Sequence, residues 1–138
     1  IVGYGNTFAP EQDTQFAAMS FDLGDGTLCG SFRGTDSTLV GWKEDLNMSF
    51  CEVPSQTEAA RFLALAAERA AGLGLKRLIL CGHSKGGNLA VFASSNCSKL
   101  MQRRIEKVYC MDGPGFRPDA LDPEGYERIR KNKIAKFA

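Results

Sequence analysis

Histidine is almost missing from this chain: His83 is the only one. One imidazole, with no C-x-x-C pair anywhere, leaves no ligand set for zinc. No metal and no cofactor is expected. A Walker loop is absent, and so is a G-x-G-x-x-G fingerprint. Long apolar runs are lacking too; none approaches the roughly 20 residues of a transmembrane helix. Charge of one sign is not in excess. The formal net charge is +1, which points to neither nucleic acid nor an anionic membrane as a partner. No signal peptide is visible. The sequence opens at Ile1 and closes at Lys136-Phe137-Ala138, so a domain incomplete at both termini is expected.

The cysteines are Cys29, Cys51, Cys81, Cys97 and Cys110. Their odd number and irregular spacing argue against a disulfide framework. Cys29, Cys81 and Cys110 stand in apolar, strand-like runs. Buried, reduced thiols in a cytoplasmic protein are the expectation. The length of 138 residues suits one domain spanning 1–138 with a modest core.

Residues 1–13 read as polar and irregular. Gln15 to Leu23 has strand composition, Gly24-Asp25-Gly26 is a turn signal, and Thr27 to Phe32 is a second strand. The short loop makes them an antiparallel hairpin. A short helix is expected through Leu39–Leu46. Ser55-Gln56-Thr57-Glu58 fits a capping box after Pro54. Ala59, Phe62, Leu63, Ala66 and Ala70 then form one apolar helical stripe, ended by Gly72 and Gly74. A strand Arg77–Cys81, a helix to about Asn96, a strand Lys107–Met111 and a helix from Asp122-Pro123-Glu124 follow. Alternating helices and strands imply parallel pairing, so the whole sheet should be mixed.

Gly82-His83-Ser84-Lys85-Gly86 reads G-x-S-x-G between that strand and that helix. In this setting the pattern signals a nucleophile elbow. The serine is strained at a strand tip, and glycines flank it where side chains would collide with strand and helix. The helix N-terminus favours negative charge developing on a substrate oxygen. The plainer reading is a glycine-rich β-to-α turn, one that holds a phosphate at most. Phe32-Arg33-Gly34-Thr35 ends an earlier strand, where a second oxyanion donor would lie; a simple strand-ending turn is the alternative.

Together, Phe32-Arg33-Gly34-Thr35, Trp42-x-x-Asp45-Leu46 and Gly82-His83-Ser84-Lys85-Gly86-Gly87 resemble the lipase class 3 family of α/β-hydrolases. With Asp112-Gly113-Pro114-Gly115-Phe116, the sequence looks like a bacterial branch of that group. The resemblance implies an α/β-hydrolase-like, mostly parallel mixed sheet flanked by helices. It implies Ser84 as nucleophile, with Lys85 N–H and Thr35 as oxyanion donors. Trp42 and Asp45 would fall in a lid segment, or pack and hold that loop. The implied activity is ester hydrolysis through an acyl-enzyme on Ser84, with a small-molecule or lipid ester as substrate.

The triad histidine of that family has no counterpart here. His83 adjoins Ser84 and points elsewhere, so packing beside the elbow is its expected role. Asp112 is a weak candidate for the triad acid. Two alternatives stand beside ester hydrolysis. One is a non-catalytic α/β-hydrolase-like binding domain, and the other is thioesterase or acyltransferase chemistry on the same elbow.

Overall fold

The computed structural model describes residues 1–9, 14–34 and 53–138. The Leu39–Leu46 helix and the residues Thr35, Trp42, Asp45 and Cys51 lie outside these. Strands β1 (Gly3–Ala9), β2 (Thr14–Asp22) and β3 (Thr27–Phe32) come first. Helix α1 (Pro54–Gly72), strand β4 (Arg77–His83) and helix α2 (Lys85–Asn96) follow. Then come α3 (Lys99–Arg104), β5 (Ile105–Met111), α4 (Pro123–Arg130) and β6 (Ile134–Phe137). The fold is mixed α/β, and its six strands lie in chain order across one sheet. β1–β2 and β2–β3 are antiparallel, whereas β3–β4, β4–β5 and β5–β6 are parallel. No described helix is long and apolar enough to cross a membrane.

The apolar stripe of α1 explains its seat. Ala59, Phe62, Leu63, Ala66 and Ala70 are all buried, and the helix packs on β2, β3 and α2. Its start differs from the capping box read at Ser55. The N-cap is Val53 and Pro54 opens the helix. Gln56, not Glu58, reaches back, accepting from Val53 N at 3.1 Å. Proline's fixed φ suits the first helical position, which moves the whole start upstream.

Alternation along the strands sorts the side chains onto two faces. Phe16, Ala18, Leu28, Phe32, Leu78, Leu80, Val108 and Cys110 meet the helices and are buried. Phe32 sits 5.8 Å from Phe62 and 6.4 Å from Phe16, ring centre to ring centre. Burying one such ring contributes about 2–3 kcal/mol. The other face carries Tyr4, Met19, Cys29, Ile79, Cys81, Tyr109 and Met111, all exposed or half-exposed.

That alternation corrects the expectation for the cysteines. Only Cys110 is buried among the described ones; Cys29, Cys81 and Cys97 are half-buried. Residues 1–13, read as irregular, contain β1. Gly3, Gly5 and Asn6 disfavour a strand by themselves, and pairing with β2 overrides that preference. Two further elements were not anticipated. One is α3, whose start Ser98 caps by accepting from Met101 N at 3.1 Å. The other is β6, whose four residues are too short to show a pattern.

Candidate functional site: the Ser84 turn

Ser84 lies between the end of β4 and the start of α2, with φ 54 and ψ −124. An L-residue is strained there, and such strain persists only where the surroundings impose it. Three strands do so. From β5, Met111 O accepts from Ser84 N at 2.8 Å. From β4, Gly82 lies so close to Gly86 that an added Cβ would overlap its carbonyl. From β3, the Phe32 carbonyl occupies the space a Cβ on Gly86 would need. The helix thus meets the sheet at backbone distance. Ser84 O in turn accepts from Gly87 N at 2.9 Å and Asn88 N at 3.2 Å, which opens α2.

The segment after β3 also reaches this place. A Cβ on Gly34 would stand 2.8 Å from His83 O and 3.9 Å from Ser84 Cβ. The next residue, Thr35, is outside the described residues. Ser84 is half-exposed. Lys85 follows it as the first residue of α2 and is buried, 1% exposed. A sequence pattern alone gives no sign that this lysine is buried.

His83 is exposed, sharing the outward face of β4 with Cys81. This corrects its expected packing role, because strand alternation sends it away from the helices. Asp112 follows β5 directly and is also at φ 54. Its N–H donates to Phe137 O at 2.6 Å. It is exposed, and no described side chain bonds its carboxylate. It adjoins Met111, which holds the Ser84 backbone, so β5 brings it to the same edge of the sheet. No described group of three or more His, Cys, Asp or Glu side chains forms a metal site.

A buried amide relay supports the turn and was missed in the sequence. Gln56 Nε2 donates to Asn88 Oδ1 at 3.0 Å. Asn88 Nδ2 donates to Pro114 O at 3.2 Å. Both residues are fully buried. The relay ties the start of α1 to the first turn of α2 and to the loop after β5. Two amide residues on otherwise apolar helix faces are the only signal the sequence held.

On the outward face, Cys29 and Cys81 approach to 3.9 Å between sulfurs. The hydrogen bond from Cys29 lowers the Cys81 thiol to about 6, against desolvation, and Ser31 lowers it further. The same contact raises Cys29. A low-pKa thiol three residues ahead of Ser84 was not expected of a buried cysteine.

A family model described as Mbeg1-like matches residues 1–138. That family is neither lipase class 3 nor an α/β-hydrolase family. The lipase resemblance is therefore corrected, since its short motifs fit a strand–turn–helix that other families also build. The ester hydrolysis implied by that resemblance is corrected with it, because it rested on membership of a lipase or esterase family. No curated protein and no solved structure matches the chain. Because the match runs along its whole length, the chain belongs to the Mbeg1-like family.

Proposed function

We propose that the chain is a mixed α/β binding domain whose Ser84 turn receives a carbonyl- or carboxylate-bearing ligand. The observation that carries this reading is Ser84 at φ 54, ψ −124, fixed by backbone from three strands. Strain of this kind costs about 1–3 kcal/mol and marks places of use more often than places of rest. The turn sets a hydroxyl beside the N-terminus of α2, where backbone dipoles favour a partly negative oxygen. A hydroxyl beside helix N–H groups suits the holding of such an oxygen.

Amide-resolved NMR with carboxylates of increasing chain length tests this. Saturable shifts should centre on Ser84 to Gly87, and Ser84→Ala should weaken them. Shifts that avoid this turn at every chain length would sink the reading.

A further inference from the structure

At the far end of α2 from Ser84, four cations surround a hollow of about 200 Å³. They are Lys99, Arg103, Arg128 and Lys133, with Gln102 and Ile129 completing the lining. No carboxylate lines it. None of the four joins an ion pair among the described residues. On α4, Glu127, next to Arg128, is taken by Arg130 at 2.9 Å. Gathering like charges without counter-charges raises the energy of the empty state.

The cluster is held, not merely accumulated. Gln102 is 2% exposed. Its Nε2 donates to Ser94 O at 2.9 Å, Ser95 O at 3.3 Å and Gly125 O at 3.0 Å. That leaves Oε1 to accept from Arg128 Nε at 2.6 Å. The Gln102 carbonyl accepts from Lys133 Nζ at 2.6 Å. One buried residue thus positions two cations. Arg128 keeps its terminal N–H groups and Lys133 keeps further N–H donors for something else.

We propose that this hollow binds a phosphate group, carried by a soluble phosphomonoester or by a lipid headgroup. Arginine and lysine together suit a tetrahedral dianion, through forked and point-charge contacts. The volume lies below the roughly 300–1,000 Å³ of a site for a drug-sized ligand, which suits a phosphate group more than a large apolar ligand. The inference is independent of what Ser84 does.

The 138-residue chain would be titrated with inorganic phosphate by calorimetry. In a second arm it would be sedimented with phosphatidylcholine vesicles, with and without phosphatidylinositol monophosphate. Saturable binding in either arm is expected. Arg103→Gln, and the pair Arg128→Gln with Lys133→Gln, should each weaken it by roughly tenfold or more. Arg61→Gln on α1 should change nothing. Binding to phosphate alone assigns a soluble ligand; binding to the charged vesicles alone assigns a headgroup. No binding in both arms overturns the proposal, as does an equal loss from Arg61→Gln. Arg103 is exposed and bonds no described residue, so its variant decides the matter even if the double variant does not fold.

Discussion

Helix α2 is anchored by backbone at one end and by side chains at the other. At its N-terminus, Gly82, Gly86 and Phe32 meet main chain to main chain, and a single added methyl has nowhere to go. At its C-terminus, the carbonyls of Ser94 and Ser95 are met by the long amide of Gln102. The two ends are about 18 Å apart at the rise of an α-helix. The backbone end tolerates almost no change of sequence, and its shape is fixed before any ligand arrives. The side-chain end can trade residues, and its character is charge more than shape.

The sharpest way to break this contrast is to put a methyl at each end. Gly86→Ala should cost about 3 kcal/mol or more in urea unfolding, because backbone of β3 must move. A variant as stable as wild type would show that the close approach is dispensable. Gln102→Ala comes next. Removing the side-chain amide from three carbonyls and from Arg128, while Lys133 keeps the backbone carbonyl, should cost about 1–2 kcal/mol. A cost near that of Gly86→Ala would erase the distinction between the ends.

Ser84→Gly sharpens the contrast from the other direction. It relieves a positive φ, so the domain should gain about 1 kcal/mol while losing the hydroxyl. Ser84→Ala keeps the strain and should not gain. If both variants unfold at the same urea concentration, the turn holds no strain to release.

The smallest effect is kinetic. Cys81 is shifted down to about 6 and Cys97 up to about 11. Cys81 therefore carries the larger thiolate fraction at neutral pH and should outpace Cys97 with a thiol reagent. As pH falls through its lowered midpoint, its rate should fall about tenfold per unit, as protonation removes the nucleophile. Replacing Cys29 with serine should change that midpoint if the sulfur contact sets it. Equal rates at Cys81 and Cys97 would separate the outward face of β4 from this picture.

The backbone end of α2 was legible in the sequence and the other end was not. G-x-S-x-G between a strand and a helix is a local pattern, so Gly82, Ser84 and Gly86 could be placed from five residues. The apolar stripe of α1 and the Gly24–Gly26 turn were legible for the same reason. Gln102 makes its sense only through Ser94, Gly125, Arg128 and Lys133, which the fold gathers from two other helices and a turn. The net charge of +1 concealed that cluster, because a sum over the chain says nothing of where charges meet. Cys29 and Cys81 were read as buried from their apolar neighbours. Strand alternation placed them on the opposite face, and no composition argument separates the two faces when both are apolar. The family itself was misread from motifs that describe a turn, not a lineage.

The order of strands across the sheet has a consequence for how the molecule forms. Each strand pairs with the one made just before it, so pairing can keep pace with synthesis. The Ser84 turn is the exception to that early start. It needs the Phe32 carbonyl of β3 from one side and the Met111 carbonyl of β5 from the other. Neither hairpin nor helix can hold Ser84 at its angle alone. The turn therefore matures only when β5 docks, and a chain that stalls before Met111 would carry a folded edge and an unformed site.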